Sequence, residues 1–143
     1  EVVTVCDAKD KAVGHMGTTV DVDKSIADVD VADYDGIFLV GGPGALDALD
    51  SDQVSAIIKR AKDAGISFGA ICISPRILAK ASVLKGKKST GWDGDGQLKQ
   101  VFDKHDVVYV NASVVVDGMV VTADGPMAAQ YFGTAIAKVI NEK

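Results

Sequence analysis

Glutamate is almost missing from this chain. Its 20 acidic residues are nearly all aspartates, and the only glutamates are Glu1 and Glu142, at the two ends. No internal glutamate is therefore available to any site. Cysteine is scarce as well. Cys6 and Cys72 lie far apart, which excludes a disulfide framework and points to a reducing compartment, the cytoplasm. No apolar run approaches the length of a bilayer span, and no signal-like segment precedes the first strand, so no membrane partner is expected. Basic residues are outnumbered 15 to 20, leaving a net charge of −5. That balance excludes the basic face of a nucleic-acid binder. The short cluster Lys85, Lys87 and Lys88 reads as a solvated edge. No HExxH, CxxC or paired-His spacing is present, so neither a metal nor a cofactor is expected.

What remains suits one folded domain over residues 1–143, with 48% hydrophobic and 24% charged residues. Strand and helix signals alternate. Val2–Cys6 is an apolar, β-branched run that reads as a strand, Asp7–Gly14 as a polar turn, and 17–22 as a short extended piece. Ile37–Val40 is a buried strand ended by Gly41-Gly42-Pro43-Gly44. Ser51 caps a helix with Val54, Ile57, Ile58 and Ala61 at helical spacing, and Gly65 stops it. Ile66–Ile71 is the next strand and Pro75–Ala81 a short helix. A further helix is expected over 96–104. Strands are expected at 107–110, 114–116 and 119–122, with Asp117-Gly118 as a hairpin turn. Pro126 opens the last helix. Such alternation, with continuously apolar strands, predicts an α/β sandwich with a largely parallel sheet, whose ligands bind at the carboxyl ends of strands.

Two loops should share that edge: Gly41–Gly44 and Cys72–Pro75. Cys72 stands where an apolar strand meets a helix start, with Ser74 suited to the N-cap and Pro75 to the first turn. A thiol there is pushed toward solvent near the positive end of a helix dipole, a position that favours the reactive thiolate. It is the cysteine counterpart of a nucleophile elbow; the bland alternative is a small cysteine packed beneath the turn. A thiolate attacking a carbonyl needs donors for the resulting oxyanion, and the backbone N–H groups of Ile73 and Gly42 are the candidates. The Gly-rich loop lacks the Lys and spacing of a P-loop, leaving a plain tight turn as the other reading. His15 and His105 read as surface residues. Cys6, in an apolar strand, reads as core.

Several segments together resemble the ThiJ/PfpI superfamily: Tyr34–Gly42, Ala70-Ile71-Cys72 with Pro75 three residues on, Val83–Lys87, Val115–Gly118 and Thr122–Pro126. The resemblance runs along essentially the whole chain. It implies a flavodoxin-like three-layer sandwich, with Cys72 as the elbow nucleophile and the Gly42 and Ile73 amides as oxyanion donors. It also implies a homodimer or higher homo-oligomer. The implied chemistry is thiolate attack on a small reactive carbonyl, of glyoxalase or deglycase type, in stress protection. The alternatives are an intracellular cysteine peptidase acting on peptides, and a non-catalytic redox sensor or chaperone.

This chain departs from the family pattern. Ile73 stands where the peptidase branch has His after the cysteine. The stretch where other branches carry a His reads Ser89-Thr90-Gly91-Trp92-Asp93. Here Trp92 either walls a pocket or packs as a large core residue, with packing preferred, and Asp93 is an unsupported acid. Gly41 and Asp124 are placed at the site periphery, with capping of the last helix the favoured role for Asp124. The family's first strand and helix, whose following loop supplies a carboxylate to the cysteine, have no counterpart in the matching segments. The expectation is a preceding segment of roughly 25–45 residues, enough for one strand and one helix, and a proton carrier from outside this chain.

Overall fold

The computed structural model describes residues 1–7 and 10–142. In chain order its elements are β1 (Val5–Cys6), β2 (Lys11–Val13), β3 (Thr19–Asp21), β4 (Lys24–Ser25), β5 (Gly36–Leu39), α1 (Ala45–Ala48), α2 (Asp52–Asp63), β6 (Ser67–Ile71), α3 (Pro75–Lys80), β7 (Lys88–Ser89), α4 (Leu98–Lys104), β8 (Val108–Tyr109), β9 (Val114–Asp117), β10 (Val120–Ala123) and α5 (Ala129–Asn141). Short 3-10 turns cover Ile26–Asp28, Val31–Asp33 and Pro126–Ala128.

The central sheet has the order β5–β6–β10–β9. Its first three strands are parallel, and β9 returns antiparallel to β10 through a tight turn with Gly118 at φ 64°. Side-chain alternation along these strands creates the layers. Leu39, Phe68, Ala70 and Val120 face one side and pack with Val54 and Ile58 of α2, Ile77 and Leu78 of α3, and Leu98 and Phe102 of α4. Ile71, Val121 and Ala123 face the other side, beneath Phe132, Ala135, Ile136 and Val139 of α5. Phe38 meets Phe132 edge-on there, with ring centroids 6.0 Å apart. The result is the expected α/β sandwich with a mostly parallel sheet. The small parallel pair β7–β8 is tied to it by side chains: the Thr90 N–H donates to Thr122 Oγ1 at 3.0 Å and the Lys88 N–H to Asp117 Oδ2 at 2.8 Å.

Local chemistry sets the boundaries of α2. Ser51 Oγ accepts the Val54 N–H at 3.2 Å, satisfying one of the first-turn donors. At the other end Gly65 takes φ 70°, its N–H bonds Lys62 O, and the Ile66 N–H bonds Ala61 O, the paired closure that a glycine just past a helix permits.

The N-terminal part differs from expectation. The predicted Val2–Cys6 strand shortens to Val5–Cys6, which pair with the parallel strand β4, while Thr4 bonds Asp23 and Lys24 outside the ladder. Among the described residues β1 makes no ladder with β5. The turn expected over 7–14 instead contains β2, which forms a hairpin with β3; Ala8 and Lys9 of that turn lie outside the described residues. Cys6 is half-buried rather than core, and its Sγ donates to Asp7 Oδ1 at 3.1 Å. Pro126 opens a 3-10 turn, and the last α-helix begins three residues later. Among the described residues no helix is long and apolar enough to cross a membrane.

Candidate functional site

β5 and β6 run parallel and end together, so the loops after them meet. Directly after Ile71 the chain bends at Cys72, whose φ is 65°. A non-glycine residue in the left-handed region costs about 1–3 kcal/mol and persists only when its surroundings fix it. Two hydrogen bonds do so. The Cys72 N–H donates to Ala123 O at 2.9 Å, continuing the β6–β10 ladder by one residue, and the Cys72 carbonyl accepts the Trp92 N–H at 2.7 Å. Pro75 occupies the first turn of α3, as expected. Ser74 stands at the N-cap position, but its hydroxyl does not cap. It donates to Val40 O at 3.1 Å and so ties the helix start to the end of β5.

The diglycine loop lies against the elbow. A Cβ on Gly41 would fall 2.7 Å from Cys72 Cβ, 2.7 Å from Ile71 O and 3.1 Å from the Ile73 nitrogen. Only glycine allows that approach. Gly42 follows at φ 138°, also a glycine conformation. Among the described residues, neither the Gly42 N–H nor the Ile73 N–H has a hydrogen-bond acceptor. Two unengaged amide donors thus belong to the residues that follow Gly41 and the half-buried Cys72.

Trp92 is not a core residue. It is 37% exposed, and its backbone lies on the elbow. The preferred reading as a large packed core residue is therefore not met. Its ring carries Arg76, with the guanidinium carbon 5.7 Å from the ring centroid. Arg76 is the residue that sequence reasoning missed. It is 5% exposed, donates from Nη1 to Asp95 Oδ2 at 2.9 Å and from Nη2 to Asp95 Oδ1 at 2.6 Å, and reaches Trp92 O from Nη2 at 3.0 Å. The hydrogen bonds from Arg76, reinforced by the Gln97 N–H, hold the Asp95 carboxyl down at about 2. The available signal was one arginine in the otherwise apolar start of a helix, between Pro75 and Ile77.

The remaining candidates separate clearly. Asp93 Oδ1 accepts the Leu98 N–H at 2.8 Å and is occupied in starting α4. Asp124 follows β10 beside the elbow: Ala123 O receives the Cys72 N–H, and the Asp124 N–H donates to Ser113 O. Its side chain does not cap the last helix. Gly125 occupies the cap of the 3-10 turn, Ala128 that of α5, and neither cap has a side-chain bond. No side-chain bond to Asp124 is formed among the described residues. His15 is exposed in the β2–β3 turn, and His105 ends α4. A cavity of about 300 Å3 lined by Asp30, Val31, Arg60 and Asp63 lies away from the elbow. So does one of about 140 Å3 lined by Ser51, Ile77 and Lys80. Among the described residues no three His, Cys, Asp or Glu side chains cluster as a metal site.

A cysteine on a strained strand-to-helix bend, set in an α/β sandwich beside a diglycine loop, defines a class of cysteine-elbow proteins. The chain belongs to the DJ-1/PfpI family, whose model matches residues 1–139. It is 35% identical to an uncharacterised protein of Methanocaldococcus jannaschii over 143 residues, covering 99% of this chain and 69% of the relative. It is 31% identical over 126 residues to a deglycase of Thermococcus kodakarensis, covering 88% and 74%. Among solved structures, a ThiJ/PfpI domain protein from Brachyspira murdochii superimposes with a TM-score of 0.91 at 25% identity, covering 99% of this chain and 80% of that one.

Proposed function

We propose that the protein performs cysteine-dependent chemistry on small reactive carbonyl compounds, of glyoxalase or deglycase type. The observation that carries this reading is the left-handed Cys72 held against Gly41, each followed by a residue whose amide N–H has no acceptor among the described residues. Such a pair is what a developing oxyanion requires. The Cys72 thiolate adds to the carbonyl carbon and forms a C–S bond. The π electrons of the carbonyl move onto its oxygen, where the Gly42 and Ile73 N–H groups donate to it. Protonation of that oxygen completes a hemithioacetal. Among the described residues Asp124, directly after β10, has a carboxylate without a side-chain partner, and it is assigned to relay a proton from solvent water to that oxygen, in place of a group outside the chain. Similarity to a deglycase supports the substrate class. The setting proposed is the cytoplasm, as a homodimer or higher homo-oligomer engaged in stress protection.

A peptidase reading has less support. Peptide hydrolysis must protonate an amine leaving group, and Ile73 follows the cysteine where a histidine would do this. Methylglyoxal consumption by the wild type and by Cys72→Ser is the test. The proposal expects the variant to be inactive; equal rates would remove it.

A further inference from the structure

Arg76 is a buried cation in an unfavourable place. It is the second residue of α3, at the end of the helix where free N–H groups already carry positive potential. Only 5% of its surface is exposed. Buried charges persist when they are paired and hydrogen-bonded. Every side-chain partner of Arg76 comes from a single turn. Both oxygens of Asp95 accept from it, Trp92 O accepts a third bond, and the Trp92 ring lies beside the guanidinium. Its Nε is buried without an acceptor, so the arrangement is held despite an unmet donor, itself a cost. The same turn touches the nucleophile's backbone. Trp92 N–H holds the Cys72 carbonyl at 2.7 Å, and a Cβ on Gly91 would stand 3.2 Å from Pro75 and 3.3 Å from Cys72 O.

We infer that Arg76 is a positioning residue for Cys72. It clamps the turn over residues 91–97 onto the elbow, so that the Trp92 N–H fixes the Cys72 carbonyl. The inference rests on the reading of Cys72 as the nucleophile. A planar fork that engages a carboxylate with two parallel bonds gives direction that an ammonium cannot, so lysine is not an equivalent residue here. A second ion pair on the same helix, Lys80 with Asp50, supplies the control. It is more exposed and reaches neither Trp92 nor Cys72.

Trp92 is the sole tryptophan of the chain, so its fluorescence reports the clamp directly. The experiment compares the full-length wild type with Arg76→Gln, Arg76→Lys, Asp95→Asn and Lys80→Met. It reads Trp92 emission and acrylamide quenching, the iodoacetamide alkylation rate of Cys72, and methylglyoxal kcat and KM. The clamp predicts red-shifted emission and stronger quenching in Arg76→Gln and Asp95→Asn. It also predicts a changed alkylation rate and kcat lower by on the order of tenfold to a hundredfold with KM changed less. Arg76→Lys does not restore these values, and Lys80→Met moves none of them. Should Arg76→Gln fail to fold, Asp95→Asn decides. Unaltered emission and alkylation in a folded Asp95→Asn protein would overturn the inference, as would the same changes in Lys80→Met. Failure of the carbonyl reading is distinct: wild type and Cys72→Ser then consume methylglyoxal equally, while emission and alkylation still read the clamp.

Discussion

Cys6 and Cys72 both belong to the carboxyl ends of parallel strands, both are free, and both are half-buried. They nonetheless occupy different chemical surroundings. Cys6 ends a two-residue strand, and its thiol turns to the neighbouring Asp7 carboxylate. Cys72 sits one residue past a fully buried five-residue strand, in a left-handed bend whose N–H and C=O are both bound by other segments. Exposure does not distinguish the two thiols. Backbone does, because the bend brings Gly41 within contact and leaves the Gly42 and Ile73 amides facing no acceptor. The site is a property of how β5, β6, β10 and the Trp92 turn converge, and the sulfur is one part of it.

The contrast is broken most sharply at the sulfur atoms. Cys72→Ser is expected to abolish methylglyoxal consumption, while Cys6→Ser leaves it at the wild-type rate; steady-state kinetics on both proteins checks this. The next largest effect belongs to Gly41→Ala. The added methyl would lie 2.7 Å from Cys72 Cβ, so the elbow must shift. The expected loss is about 1–3 kcal/mol of stability, measured by urea unfolding, together with slower alkylation of Cys72 and unaltered alkylation of Cys6. Asp124→Asn tests the proton assignment. It is expected to lower methylglyoxal kcat while leaving the Cys72 alkylation rate in place, since alkylation requires no proton on an oxyanion.

The smallest effect is a pH dependence of the clamp. The Asp95 carboxyl lies at about 2 in the folded protein, below the ordinary aspartate value of 3.8. A lowered folded value means that its contribution to stability is complete above 3.8 and is lost as the pH falls through about 2. Trp92 emission should therefore stay constant down to about pH 3 and shift to the red with a midpoint near about pH 2. In Asp95→Asn that transition should be absent.

Much of this architecture is written locally in the chain. The strands β5, β6 and β10 are continuous apolar runs buried against helices, and Ser51 and Gly65 mark α2 by their own backbone chemistry. The β2–β3 hairpin is not legible in that way. Its strands are three residues each, and Val13 and Val20 are exposed at 70% and 50%, so no buried face imposes a pattern on them. At the site, a buried strand followed by Ser74-Pro75 points to the bend at Cys72, and the diglycine points to the loop beside it. The Arg76–Asp95 pair is silent in the sequence, because 19 positions separate the two and neither requires the other until the turn closes. Asp124 misleads for the opposite reason. An aspartate before Gly-Pro looks like a cap, while the backbone gives the cap position to Gly125.

The central claim is that the elbow, and not cysteine exposure, makes Cys72 the reactive thiol. Limiting iodoacetamide on the folded wild-type protein, with each cysteine-containing peptide quantified by mass spectrometry over time, tests it directly. The account predicts that Cys72 is labelled well ahead of Cys6 and that the preference disappears in urea. Equal labelling in the folded state, or labelling led by Cys6, would contradict it.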